Sequence, residues 1–306
     1  FIARMGVAIG AWPKYPMINN PQFNFANTNF KVIKKMDIWI KKFKVKRIFY
    51  ALNIPLKCKD QKTFKSALTE LNLTRSQIKV YRLERTKRPS IMIQVSGMFQ
   101  HIYLNLFSYF KEYILNNKEA RRAFISGLFA AEGHVKHSVY GTPETIMFTF
   151  NAKKEKELAL FVKKCLKKEE INSKIKIGRR CSLTVYFTDY NNMLRFYLMG
   201  GLDSSEQKKE KFLSLLNNAK IDVHIKGDSL NILKTKQIKM AHFLSCSQAN
   251  VSKIRTRKSI TLSHLKMLSL YSKILKSPEK YVKYLTVSNC YIQNPKLIAF
   301  LLKFKT

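Results

Sequence analysis

The chain repeats itself. Phe1-Ile-Ala-Arg-Met-Gly-Val-Ala-Ile-Gly10 and Phe124-Ile-Ser-Gly-Leu-Phe-Ala-Ala-Glu-Gly133 are one phrase written twice, with Phe1/Phe124, Ile2/Ile125, Ala8/Ala131 and Gly10/Gly133 matching and the register running without a gap to Phe25/Phe148. With one residue of slippage, 38–42 falls on 160–164 inside helical periodicity, and 91–96 falls on 183–188 in short β-branched and aromatic runs that read as strands. A repeat of this length means one supersecondary unit built twice, so the two halves must share a fold. Each half reads as helix, strands, helix, strands, helix. The first is longer because 46–88 carries an insertion, placed at about 46–75, with its own helical pattern around 63–73. The organisation expected is a first lobe over 1–118, a second over 119–222 and a helical segment over 229–306.

Composition limits what such a chain can do. With 306 residues, 46% of them apolar, it has the material for two or three packed domains and is not a disordered basic tail. Fifty-seven Lys and Arg against nineteen Asp and Glu give a formal charge of +38, spread through every segment. Self-repulsion on that scale points to a polyanionic partner, with nucleic acid first and an anionic membrane a distant second. The five cysteines are widely spaced and never form Cys-x-x-Cys, which indicates neither a disulfide framework nor a zinc site. No apolar run approaches the roughly 20 residues that span a bilayer. The opening 1–12 aligns with the internal copy and lacks a basic leader, so it reads as structure and not as a secretion signal. Lysine far outnumbers arginine, and Asn, Ile, Phe and Tyr are abundant, the skew of an AT-rich coding sequence. The localisation expected is therefore a mitochondrion or other organelle, or the cytoplasm of an AT-rich prokaryote.

Glu132 is the leading candidate for chemistry. The stretch 123–132 has helix-forming composition, and Gly133 is suited to close the helix in the left-handed conformation. A carboxylate at that end sits at the negative pole of the helix dipole, where it attracts a divalent cation. The small residues Ser126, Gly127, Ala130 and Ala131 leave one helix side nearly bare, so a second helix can approach closely. Two such acids brought together would hold Mg²⁺ over phosphates, as metal-assisted phosphodiester hydrolysis requires. The first copy carries Ile9 where that acid should be.

Ile125-Ser-Gly-Leu-Phe-Ala-Ala-Glu-Gly133 resembles the LAGLIDADG motif, and the order of elements around it is similar to that of LAGLIDADG homing endonucleases over about residues 1–220. The resemblance implies an α+β, pseudo-two-fold saddle of two αββαββα lobes in one monomer. It implies motif helices packed at the centre through Ala3, Ala8, Gly127 and Ala131, and sheets that straddle a DNA major groove. It gives Glu132 the catalytic and Mg²⁺-binding roles, and its counterpart Ile9 none. Arg4 falls on the motif's interfacial glycine. Leu198-Met-Gly-Gly-Leu followed by Lys208, Lys209 and Lys211 resembles the closing segment of a half.

The strands 171–177 and 181–187, joined through Gly178-Arg179-Arg180, read as a hairpin, with 77–83 and 90–95 as its equivalent in the first half. Lys174, Lys176, Arg179, Arg180, Arg82, Arg85 and Arg88 are then expected on one ridge, supplying phosphate contacts. After Asp228 the texture becomes helical. Residues 236–253 resemble a helix-turn-helix, with Met240, Ala241, Phe243 and Leu244 packing the first helix and Ser245 where a turn glycine is usual. Ser247 N-caps a second helix anchored by Val251 and Ile254. Ser247, Gln248, Asn250, Lys253 and Arg255 are the candidate contacts, with Gln248 and Asn250 able to read adenine. The stretches 262–275 and 281–302 are expected to add helices, making the C-terminal domain all-α. His134 and His137, three apart, do not converge as ligands, and Trp12 and Trp39 sit at core positions.

The functional expectation is a nucleic-acid-binding protein, on DNA or on structured RNA such as intron or ribosomal RNA, with cleavage lost or reduced. The alternative is an active Mg²⁺-dependent site-specific endonuclease or nickase using Glu132.

Overall fold

The computed structural model describes residues 22–45, 47–56, 61–84, 88–178, 181–226 and 236–304. The first motif copy, with Ala3, Arg4, Ala8 and Ile9, lies outside them, as do Arg85, Arg179 and Arg180. In chain order the elements are β1 (Gln22–Asn27), α1 (Phe30–Lys41), β2 (Phe49–Pro55), α2 (Gln61–Leu71), β3 (Ile78–Leu83), β4 (Ser90–Ser96), α3 (Gly97–Asn116) and α4 (Lys118–Glu132). They continue as β5 (Gly133–His137), β6 (Pro143–Asn151), α5 (Lys156–Lys168), β7 (Lys174–Ile177), β8 (Ser182–Phe187), α6 (Tyr190–Leu198) and α7 (Glu206–Asn217). Last come β9 (Ile221–Ile225), α8 (Gln237–Phe243), α9 (Gln248–Arg257), β10 (Ser259–Thr261), α10 (Leu262–Lys266), α11 (Leu270–Lys276), α12 (Pro278–Tyr281), β11 (Val282–Val287), β12 (Cys290–Ile292) and α13 (Pro295–Phe304). The fold is α+β. The chain divides into two compact units, one of 1–135, 146–187 and 196–210, the other of 136–145, 188–195 and 211–306. Among the described residues no helix is long and apolar enough to cross a membrane.

The first unit holds two four-stranded sheets, ordered β1-β4-β2-β3 and β5-β6-β8-β7. The sequence repeat is visible in their registers. Phe25 on β1 pairs with Ile93 on β4, and the aligned residues Phe148 on β6 and Val185 on β8 pair in the same antiparallel way. All four side chains are fully buried, each burial contributing about 1.5–3 kcal/mol. α1 packs on β1 and β4, and α5 packs on β8.

The insertion changes the first sheet. β2 lies against β4 in antiparallel register, where β7 lies against β8 in the second sheet. α2 then carries the chain back so that β3 adds outside β2 in parallel. The expected hairpin of 77–83 with 90–95 is therefore not formed. A parallel pair needs a crossover of about a dozen residues or more, and α2 supplies it.

α4 starts one residue after α3. Asn117 caps it, its Oδ1 accepting from Ala120 N–H at 2.9 Å. From Phe124 to Ala130 every residue is buried, which makes α4 a core helix and not a surface one. Phe124 stacks on Phe107 of α3 at 5.7 Å, and Phe129 meets Phe148 at 5.2 Å and Phe196 at 5.1 Å. Near its N-terminus, Arg121 and Arg122 both bind the Glu169 carboxylate just beyond α5.

The second unit is not all-helical. It contains a four-stranded antiparallel sheet ordered β10-β9-β11-β12. The segment 281–292, expected as helix, is a β-hairpin instead. Val282, Leu285 and Val287 are buried, with the strand alternating after a bulge at Lys283, and Ser288 and Asn289 form a two-residue turn with φ of 46° and 67°. Two positive-φ residues match the right-handed twist of a hairpin, which decides against a helix.

Candidate carboxylate site and nucleic-acid interface

Glu132 is the last residue of α4, half-buried, and Gly133 follows it into β5. Gly133 does not close the helix in the left-handed region: its φ is −80° and ψ 147°. Glycine is required there for space. A Cβ at this position would lie 2.2 Å from the Phe129 ring, which is fully buried and gripped by two other phenylalanines. Gly133→Ala is expected to destabilise the protein by about 1–3 kcal/mol through overpacking. Chemical denaturation would show this as a lower midpoint, and an unchanged midpoint would refute the assignment.

The end of α4 is held by a lysine. Lys208 Nζ donates to Phe129 O at 2.8 Å and Ala130 O at 2.9 Å, and sits 5.3 Å over the Phe129 ring. These carbonyls belong to the last turn of the helix, where a cation complements the dipole. Burial pulls the Lys208 ammonium down to about 8, and the nearby Glu132 charge pulls the other way. Glu132 and Lys208 are thus close enough to feel each other at one helix end. The Ser126 hydroxyl fixes the segment leading to Lys208, donating to Ser204 Oγ and accepting from Ser204 N–H, both at 3.0 Å. Gly200, at φ +85°, makes the turn before it. Lys209, by contrast, reaches outward to Asp203 at 2.7 Å. Lys208 and Lys209 are equivalent in the sequence, and only packing singles out the buried one.

An ammonium of this kind can stabilise charge on a phosphate, and one with a pKa near working pH can also move a proton. Among the described residues, no group of three or more His, Cys, Asp or Glu side chains is placed to hold a metal ion. His134 and His137 lie three apart on β5, and strand alternation turns them to opposite faces.

The second sheet has one closed and one open face. Ile146, Phe148, Phe150, Leu183, Val185 and Phe187 are buried on the first. The other carries Thr149, Thr184 and Tyr186, half-exposed, with Lys174 opposite Tyr186 and Lys176 opposite Thr184, both exposed. Two of the expected basic residues are therefore together on a face with hydroxyl and aromatic neighbours that sequence reasoning did not single out.

In the first sheet the insertion rearranges the expected set. Arg82, itself exposed, pairs with Ile54 and so falls on the side of the buried strand residues, while the exposed Lys79 and Tyr81 fall on the other side, with Asn53 and the buried Ala51. Arg88 lines a shallow pocket with Thr28, Lys62, Thr63, Ser66 and Gln207. The described members of the expected ridge therefore do not share one face.

In the second unit, α8 and α9 are joined by a tight turn in which Ser245 adopts φ +51°, the left-handed value for which glycine is the usual residue. Cys246 N–H closes the turn onto Ala241 O at 3.0 Å. Ser247 caps α9 by accepting from Asn250 N–H at 3.2 Å. Met240, Ala241, Leu244, Val251 and Ile254 are buried, but Phe243 is 56% exposed, because its position falls outside the helical arc that 240, 241 and 244 turn inward. Gln248, Asn250, Lys253 and Arg255 are all exposed.

Residues 119–199 match the family model described as a LAGLIDADG-like domain. No curated protein sequence matches the chain. Among solved structures, it is similar to I-DmoI in complex with DNA and Mn, at 16% identity over 65% of this chain and 93% of that one, with a TM-score of 0.40. It is also similar to full-length DUF199/WhiA from Thermatoga maritima, at 15% identity over 80% and 68% of the two chains, with a TM-score of 0.42. The N-terminal LAGLIDADG domain of DUF199/WhiA matches at 15% identity over 67% and 83%, with a TM-score of 0.39.

Proposed function

We propose that the chain binds duplex DNA through the open sheet faces of its first unit, and that coordinated cleavage of both strands is lost or reduced. The observation that carries this is the polar, basic face of the second sheet: Lys174, Lys176, Thr184 and Tyr186 on one side, and a closed apolar core on the other. Lysines there take phosphates, and alternating strand side chains reach base edges. The exposed Gln248, Asn250, Lys253 and Arg255 of α9 add a second contact in this reading.

The donor set supports the reduced chemistry. Magnesium in phosphodiester sites is commonly held by one or two carboxylates together with substrate phosphate oxygens. Glu132 fits a single ion on those terms, and the ion would supply charge stabilisation at the phosphate. The paired arrangement needs a second acid, and Ile9 has no ligand atom. A second reading, a nickase, is favoured by Lys208, whose buried ammonium feels the Glu132 charge at the end of α4.

Supercoiled plasmid incubated with Mg²⁺ separates these. Retarded but intact plasmid is expected of the binder. Nicked circles that disappear in Glu132→Gln support the nickase, and linear product overturns both readings. Binding to structured RNA with duplex DNA ignored would replace the partner. For the interface itself, the Lys174→Ala/Lys176→Ala double variant is expected to lose affinity about equally for all sequences. It should also flatten the dependence of log K on log salt by about two, nearly one per phosphate contact. An unaltered slope places the duplex elsewhere.

A further inference from the structure

The sheet of the second unit also has an open face, and its chemistry differs from that of the lobes. Ile221, Val223, Ile260, Leu285 and Ile292 are buried on one side. On the other, His224 is paired with Ser259 on β10 and with Tyr284 on β11, and Thr286 is paired with Tyr291 on β12. The rings form a row: His224 stacks on Tyr284 at 4.1 Å and 22°, and Tyr284 meets Tyr291 at 5.3 Å. A register shift between Val282 and Tyr284 sets the extra residue, Lys283, next to Tyr284, and burial lowers the His224 imidazole, with the Asp222 charge opposing and the Lys283 charge adding to that shift.

Cross-strand packing accounts for the first pair, since such contacts stabilise a sheet. It does not account for Tyr291, which is 62% exposed at the end of the row on an edge strand. That strand is nonetheless held in place. Asn191 Nδ2 donates to Tyr291 O at 2.8 Å, and the Cys290 thiol donates to Asp189 Oδ1 at 2.7 Å. A fixed, exposed ring continuing an aromatic row, with a lysine alongside, on a chain of formal charge +38, is complementary to unpaired bases and their phosphates. A duplex does not offer ring faces.

We propose that this face binds single-stranded nucleic acid, with a base stacking on Tyr291 to extend the His224–Tyr284–Tyr291 row and Lys283 contacting an adjacent phosphate. The proposal uses none of the residues of the duplex reading and does not depend on it.

Tyr291→Trp in the full chain places a fluorophore at the end of the row, with the wild type titrated in parallel to subtract Trp12 and Trp39. Short oligodeoxyuridylate or oligouridylate is expected to quench the added emission, and heparin, a polyanion without bases, is not. Whichever oligonucleotide acts at lower concentration identifies the preferred sugar. At raised salt, where electrostatic binding is weakened, Tyr291→Ala should reduce oligonucleotide affinity by about fivefold or more, while Tyr291→Phe retains it. Wild-type affinity in Tyr291→Ala, an equal loss in Tyr291→Phe, or equal quenching by heparin overturns the proposal. Duplex affinity measured on the same samples separates this outcome from a failure of the duplex reading.

Discussion

Glu169→Ala is expected to lower the unfolding free energy by about 3–5 kcal/mol, the cost of breaking a buried ion pair and stranding its partner. Glu169 is 3% exposed and receives Arg121 Nε at 2.8 Å, the Arg121 Nη2 group, and Arg122 Nε at 2.7 Å. Arg121 also donates from Nη1 to Leu115 O at 2.7 Å, so one carboxylate ties together α3, α4 and the end of α5. Removing it leaves the Arg121 guanidinium, 7% exposed, with a single carbonyl. Arg122 is 36% exposed and can turn to water, so Arg122→Ala should cost far less, about 1 kcal/mol or below. The informative comparison is Arg121→Met with Glu169→Leu, which removes both charges. Apolar replacement of a buried pair is often neutral or stabilising, so the double variant should recover most of the loss. Equal losses in the single and double variants would show that packing, and not the stranded charge, sets the cost.

Those two arginines show where sequence reading stops. In the sequence Arg121 and Arg122 are a basic pair before a helix, indistinguishable from the many solvated lysines around them, and nothing marks Glu169 as their partner. The repeat itself was legible because buried positions recur in register within each aligned segment, and Phe25 with Ile93 and Phe148 with Val185 pair as the alignment implies. The Ser247 cap and the left-handed turn residue two positions before it were legible from local rules. The strand order was not. β2, α2 and β3 satisfy their local preferences in either a hairpin or a crossover, and only the competition between β2 and β3 for the edge of β4 decides between them. That competition put Arg82 on the side of the buried strand residues and Lys79 and Tyr81 on the other. The C-terminal strands were missed for a related reason. Apolar runs of six residues or fewer fit helix and strand alike, and the deciding signal, Ser288-Asn289, is a turn without glycine.

Lys208 should make stability rise with pH in a window where most proteins lose it. Its ammonium is held at about 8 in the folded chain against an ordinary 10.5, chiefly by burial. Below about pH 8 both folded and unfolded chains carry the proton, and the folded state bears the full cost of the buried charge, on the order of 3 kcal/mol. Between about 8 and 10.5 the unfolded chain binds the proton more tightly, so raising the pH favours folding, and above 10.5 the cost is gone. The buried Cys165 thiol and the half-buried Cys290 thiol, pushed up to about 12 and about 11, act in the opposite direction above pH 9, because the folded state retains their protons. The difference between wild type and Lys208→Met cancels them. That difference is expected to shift in favour of the wild type across pH 8 to 10.5, and a flat difference would mean that Lys208 is not desolvated at the end of α4. A helix end could be capped at less cost by an exposed lysine, as many are. Lys208 instead keeps its charge desolvated against the Phe129 and Ala130 carbonyls, and below about pH 8 that cost stands in full.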